Sequence, residues 1–222
     1  MKIFYVPAKQ QVRISTQFAK DFSKRIPKNI GLVSTIQFSY LIPELANILK
    51  SEDKNIFVCG KGQVLGCNFD SVTKIQDKVD AFIYLGSGKF HPLQFSLKLK
   101  QKKQIFLFNP TTEQFTEFDW KDTEKIKLKN KTLRVKFLSS NKIGILVSTK
   151  PGQSKLKEAL ELKSKLEKKG KKTYLFIMDN FIPDQLENWQ DLTWINTACP
   201  GLAQDFNLLN FSDILDSTPE RV

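Results

Sequence analysis

A short apolar run, Ile30-Gly-Leu-Val-Ser-Thr35, returns later in the chain as Ile143-Gly-Ile-Leu-Val-Ser-Thr149. A glutamine follows each copy, Gln37 after the first and Gln153 after the second. Each copy leads into a segment of helical character, LIPELANILK and then KLKEALELKSKLEKK. A second apolar run follows in each (NIFVCG, then TYLFIM), and then a third (AFIYLG, then WINTAC). Continuous apolar runs alternating with helical segments are the pattern of parallel strands covered on both faces, so the repeat predicts βαβ units. QIFLFNP, residues 104–110, reads as a fourth strand of the first unit. The expected fold class is therefore α/β, with two related domains, each a parallel β-sheet flanked by helices. Their expected extents are 1–135 and 136–222, with Asp122–Ser140 supplying a connecting helix in which KNKTLRVKF is ambiguous. One continuous sheet with a coincidental IGLVST similarity is the alternative. At 222 residues the length allows either arrangement, taking about 100–200 residues per domain.

Composition narrows the function classes. The chain is 41% hydrophobic, which suits a packed globular protein. MKIFYVPAKQQ lacks a sustained apolar core of a secretory signal, and the runs FIYL and YLFIM are too short to span a bilayer. Three cysteines, an odd number and spread widely, do not make a disulfide framework. A reduced, cytoplasmic protein is expected, with no membrane partner. The formal charge of +12 raises the question of nucleic acid, but arginine occurs only at positions 13, 25, 134 and 221. Bidentate recognition of phosphates and bases favours arginine, so a lysine excess points more to a basic face that docks an acidic partner. In KLKEALELKSKLEKKGKK the expected buried stripe is Leu156, Ala159, Leu160 and Leu166, with the lysines off it. Direct nucleic-acid binding is not expected; a lysine-rich nucleic-acid module is kept as the remote alternative.

Ligands in open α/β sheets bind beyond the carboxyl ends of the strands, and that rule sorts the reactive residues. Cys59 ends the run NIFVC and is expected to fill core volume. Cys67 lies in the following loop, after Gly60, Gly62 and Gly66, and Cys199 closes WINTAC before Pro200-Gly201. This spacing does not suit a structural zinc site, whose cysteines usually come as closely spaced pairs. Thiolates from separate loops can still converge on an iron–sulfur cluster. GSGKFHP, residues 86–92, follows the strand AFIYL in a similar position; Gly86 and Gly88 would admit a ligand, and His91 is the single histidine. A plain glycine turn with a surface histidine is the competing reading. Neither a phosphate loop nor a dinucleotide fingerprint is present, and no G-x-S-x-G occurs.

Taken in order, GLVSTIQFSYLIPEL, GQVLGCN, DAFIYLGSGKFHPL, GILVSTKPGQ and WINTACPGLAQDF resemble the diphthamide synthase family, the archaeal and eukaryotic 2-(3-amino-3-carboxypropyl)histidine synthases. The resemblance implies three similar α/β domains that each give one cysteine to a [4Fe–4S] cluster. It also implies S-adenosylmethionine as substrate, bound at the iron that lacks a cysteine. Its reductive cleavage gives a 3-amino-3-carboxypropyl radical that adds to a histidine ring of translation elongation factor 2. By position, Cys67 and Cys199 fall on the metal-ligating cysteines of the family's second and third domains. Gln153, Asp205 and His91 fall on residues near the cofactor, together with Gly86 and Gly88. An electron-donor protein is implied as a further partner.

The departures are specific. The chain begins where the family's second domain begins, so a second polypeptide carrying the first domain and its cysteine is the expected partner. The arginine common before the loop glutamine is replaced in Lys150-Pro151-Gly152-Gln153, and the one after Cys-Pro by Gly201. Two accounts follow: a C-terminal part or subunit of a diphthamide synthase, a transferase, or a non-catalytic accessory homologue. The first predicts exposed apolar surface near Cys67 and Cys199.

Overall fold

The structure, a computed structural model, describes Val6 and residues 8–215. The chain divides into two compact units, residues 1–123 and 124–222. In the first unit, strands β1 (Asn29–Ser34), β2 (Asn55–Phe57), β3 (Ala81–Leu85), β4 (Gln104–Asn109) and β5 (Gln114–Glu117) form one sheet of order β2-β1-β3-β4-β5. Helices α1 (Thr16–Ser23), α2 (Ile42–Ser51), α3 (Asp70–Thr73) and α4 (Phe90–Ser96) flank it. The long helix α5 (Lys121–Ser139) follows. In the second unit, β6 (Lys142–Ser148), β7 (Lys172–Met178), β8 (Thr193–Asn196) and β9 (Leu209–Asn210) take the order β7-β6-β8-β9. Its helices are α6 (Leu156–Lys168), α7 (Pro183–Glu187), α8 (Leu202–Asp205) and α9 (Phe211–Leu215). All pairs are parallel except β4 with β5.

The sequence repeat is thus a structural one. Each IGLVST-type run is an interior strand of its sheet, with the next strand on one side and the third on the other. Both copies also share a glycine that faces an aromatic ring across the ladder. Gly31 is in register with Phe82, and a Cβ at Gly31 would lie 2.6 Å from that ring. Gly144 is in register with Trp194, and its Cβ would lie 2.4 Å from the indole. No larger residue fits beneath either ring.

Side chains alternate between two faces, and both faces are covered. In β3 all five residues are buried. Ala81, Ile83 and Leu85 join Ile30, Leu32 and the helix residues Phe22, Leu45 and Leu49. Phe82 and Tyr84 join Val33, Val72, Phe95 and Ile105 on the opposite face. The second unit repeats the plan: Ile143, Ile145 and Val147 pack with Ala159, Leu162 and Leu166, while Leu146 and Trp194 pack with Leu186, Ala203 and Leu208. Each fully buried side chain of this size contributes about 1.5–3 kcal/mol. Helix α1 starts where the Ser15 hydroxyl accepts a hydrogen bond from the Phe18 amide at 3.3 Å.

Three expectations need correction, and one open point is resolved. The boundary expected at 135 falls inside α5, because Leu133 and buried Phe137 pack on the core of the second unit. The expected connecting helix is present, and its ambiguous part, KNKTLRVKF, is helical. The NIFVCG strand is only Asn55–Phe57, because the chain leaves the sheet edge before Cys59. Leu156 and Leu160 are exposed, and the buried stripe of α6 is Ala159, Leu162 and Leu166. Strand β5 lacked an apolar run; its Phe115 stacks on Phe22 with ring centroids 4.1 Å apart. Among the described residues, no helix is long and apolar enough to cross a membrane.

Candidate functional site

In the first unit the site begins where β2 ends. The chain passes back to the end of β1, where Ser34 donates to the Gly62 carbonyl at 2.8 Å and Val64 donates to the Ser34 carbonyl at 2.9 Å. Gly62 has φ +68, and its Cβ would lie 2.4 Å from Ile42 Cδ1 and 3.1 Å from the Leu32 carbonyl. Glycine is therefore required for the loop to run this close to the sheet. Ser71 donates to the Gln63 carbonyl at 2.7 Å and pins the same segment. Leu65 and Asn68 then pair as an antiparallel bridge, with Gly66 and Cys67 at its tip. The Cys67 residue is exposed. Beyond the tip, the Asn68 side-chain oxygen accepts from the Asp70 amide at 2.9 Å and starts α3.

The loop after β3 faces this tip. A Cβ on Gly66 would lie 3.2 Å from the Phe90 ring, which starts α4. Leu65 is 44% exposed and Phe90 40%, giving apolar surface beside Cys67. His91 follows Phe90, and the Tyr84 hydroxyl lies 3.3 Å from its Nδ1. Burial pushes the Tyr84 hydroxyl well above the ordinary phenol value and pushes the His91 imidazole below the ordinary histidine value. Both shifts favour the uncharged forms; the donor across this contact depends on the His91 tautomer, and in the tautomer where Tyr84 donates to Nδ1 the ring proton is on Nε2. Gly86 is buried, and its Cβ would lie 2.5 Å from the Tyr84 ring, so packing alone demands glycine there. Gly88 has φ +72 with open space around it.

In the second unit the turn after β8 is held by side chains. The Asn196 amide donates to the Cys199 carbonyl and to Asn210 Oδ1, each at 2.8 Å, while its oxygen accepts from the Ala198 amide at 2.9 Å. Thr197 donates through its hydroxyl to the Leu146 carbonyl at 2.7 Å, tying the turn to β6. Cys199 is half-buried. Its neighbours Pro200 and Leu202 are also half-buried, so the apolar exposure expected there is weaker than at Cys67. Gln153 is half-buried in the turn after β6, where its backbone N–H donates to the Lys150 carbonyl at 3.0 Å beside Gly152 at φ +76. Asp205 ends α8, and its side chain lies outside the described residues.

The structure thus groups Cys67, Gly86, Gly88 and His91 on one unit, and Gln153 and Cys199 at the ends of neighbouring strands on the other. Cys59 is half-buried and packs against the core that contains Val64 and Tyr84. Tyr84, Asn196 and Asn210 were not singled out from sequence. Asn196 had a signal, since it is a polar residue inside the apolar run WINTAC; Tyr84 reads only as a core aromatic.

A family model described as "Putative diphthamide synthesis protein" matches residues 1–218. The chain belongs to this family. It is 29% identical over 210 residues to the 2-(3-amino-3-carboxypropyl)histidine synthase of Pyrococcus horikoshii, covering 90% of this chain and 59% of that protein. It is 28% identical over 196 residues to the synthase of Methanocaldococcus jannaschii, covering 87% and 50%. The chain therefore spans about half the length of these relatives. The crystal structure of Dph2 from P. horikoshii with a 4Fe-4S cluster matches with a TM-score of 0.74 at 26% identity, covering 91% of this chain and 61% of that one.

The donor set decides how such a cluster would fit. Among the described residues, no group of three or more His, Cys, Asp or Glu side chains is placed to hold a metal ion. The second unit offers one thiol, Cys199, and the first offers Cys67, exposed on its turn, besides the half-buried Cys59. Neither unit fits a cluster alone.

Proposed function

We propose that this chain forms the part of a diphthamide synthase that corresponds to the family's second and third domains. Cys67 and Cys199 hold two of the three cysteine positions of a [4Fe–4S] cluster, and a thiolate from outside residues 1–222 holds the third. The activity is transfer of a 3-amino-3-carboxypropyl group from S-adenosylmethionine to a histidine of translation elongation factor 2. The bound cluster would supply the electron that breaks a carbon–sulfur bond of that substrate. The chain's own residues present and shape: the Gly62 loop and the Asn196 network position the two cysteine turns, and Leu65 and Phe90 offer apolar surface beside Cys67. His91, whose charged form burial disfavours, lies against the Tyr84 hydroxyl and is assigned to the cofactor by family position. Gln153 and Asp205 are assigned to the cofactor by family position.

The observation that carries this reading is that each unit bears a cysteine, Cys67 in one and Cys199 in the other, on a turn at the carboxyl end of its sheet. Similarity to a solved Dph2 that contains the cluster supports it. Anaerobic reconstitution with iron and sulfide, together with polypeptide carrying the third cysteine, tests it. A brown chromophore that disappears in Cys67→Ala and in Cys199→Ala is expected. Colourless protein under these conditions would leave the accessory role, which the replaced arginines at Lys150 and Gly201 also suggest.

A further inference from the structure

Strand β7 lies at an edge of its sheet: β6 pairs with one side of it, and among the described residues no strand pairs with the other. Its two ends fix how its backbone groups point. The Lys172 N–H donates to the Asn141 carbonyl at 2.7 Å, and the Met178 carbonyl accepts from the Thr149 N–H at 3.2 Å. Both ends thus turn toward β6, and by the alternation of a strand so do Tyr174 and Phe176. Thr173, Leu175 and Ile177 therefore turn their N–H and C=O groups to the free side. Proteins usually blunt such edges with short strands, charges or proline. The sheet of the first unit ends on β2, with 3 residues, and on β5, with 4. Strand β7 has 7 residues, KTYLFIM, with no proline and a charge only at its first position.

Apolar surface flanks this edge. Ile177 is 54% exposed. The Thr173 hydroxyl donates to Glu167 Oε1 at 2.9 Å and accepts from Lys163 Nζ at 3.3 Å, so this face of α6 lies over the start of β7. Leu160 and Leu156 continue the same helix face at three- and four-residue spacing. Helix α6 runs back along the sheet, which places Leu160 about 10 Å from Glu167 along the helix axis. Ile177 lies about 13 Å along the strand from Thr173, beside it. Both leucines are exposed, although their periodicity reads as core.

The edge is complementary to itself. Antiparallel pairing of two copies about Leu175 sets Thr173 opposite Ile177 and Tyr174 opposite Phe176, and gives every outward N–H and C=O a partner. The same register brings the basic start of one strand, Lys171 and Lys172, along Met178 and exposed Asp179 of the other. Parallel pairing would instead run lysine beside lysine. We infer that β7 is the surface through which two copies of this chain pair across a two-fold axis, doubling the four-stranded sheet. The pairing lies apart from Cys199 and Gln153 and does not depend on a cluster.

Sedimentation equilibrium of the full chain at about 100 μM, where pairing of micromolar strength is complete, should give twice the chain mass. Residue-resolved hydrogen exchange should protect the amides of Thr173, Leu175 and Ile177 only at concentrations where the dimer forms. Those of Tyr174 and Phe176 should be protected at every concentration. Ile177→Pro removes one outward N–H, spares the bonds to β6 and should abolish the dimer. Asp179→Lys, a change at an exposed residue, should weaken it about tenfold. Circular dichroism checks that each variant is folded. A chain that stays monomeric overturns the inference, whatever else then covers the edge. A dimer in which the three outward amides exchange as fast as in the monomer, or one undiminished in folded Ile177→Pro, overturns it as well.

Discussion

The two units share a sheet plan but place their cysteines differently. Each has an interior IGLVST-type strand, a glycine under an aromatic ring, and the same order of the first four strands. Counted within its own unit, however, Cys67 follows the second strand and Cys199 the third. The Cys67 turn is held by main-chain pairing between Leu65 and Asn68 and projects an exposed residue. The Cys199 turn is cross-braced by buried Asn196 and leaves its cysteine half-buried. A repeated scaffold therefore does not dictate a repeated site, because loops vary with little cost to the core.

The shared feature gives the largest expected effect. Gly31→Val and Gly144→Val each force a side chain into an aromatic ring held in a packed core, at a cost of about 3 kcal/mol or more. Hydrogen exchange read peptide by peptide should show each substitution loosening its own unit; unchanged protection would mean that the rings can move aside. The unshared feature comes next. Asn196→Ala removes a buried amide that makes three hydrogen bonds and should cost about 2 kcal/mol, against about 1 kcal/mol for Asn68→Ala at the main-chain-held turn. Equal losses in urea titrations would erase this contrast. Thiol alkylation followed by mass spectrometry refines it: Cys67 should react faster than Cys199, and Asn196→Ala should narrow the gap.

The smallest effect is on pH. The pKa of His91 is lowered by burial, so the unfolded chain binds more protons in the range just below the ordinary histidine value of 6.5. The corresponding stability is present above pH 6.5 and is lost as the pH falls through the lower folded value. The chain has no other histidine. Acidification across this window should thus speed exchange in the first unit more than in the second, and His91→Gln should flatten the difference.

Much of this fold was legible because buried parallel strands leave uninterrupted apolar runs. IGLVST, AFIYL, QIFLF, IGILVS and TYLFIM all proved to be strands. What escaped was structure made by few residues or by tertiary contact. Strand β5 is held by the stacking of Phe115, and β9 has only two residues. The stripe of α6 was misassigned because Leu156, Leu160 and Leu162 all fit a helical period, and only packing selects Leu162. At the site, glycines and cysteines marked the turns, whereas the partners that orient them, Tyr84 and Asn196, come from strands whose composition reads as core.

The central claim is that two thiols, one per unit, serve one reaction. It is tested most directly by single Cys59→Ala, Cys67→Ala and Cys199→Ala variants, assembled anaerobically with polypeptide carrying the third cysteine. The readout is transfer of label from the aminocarboxypropyl moiety of S-adenosylmethionine to elongation factor 2. Loss of transfer in Cys67→Ala and Cys199→Ala, with transfer retained in Cys59→Ala, is the predicted result. Undiminished transfer in either of the first two variants would contradict it.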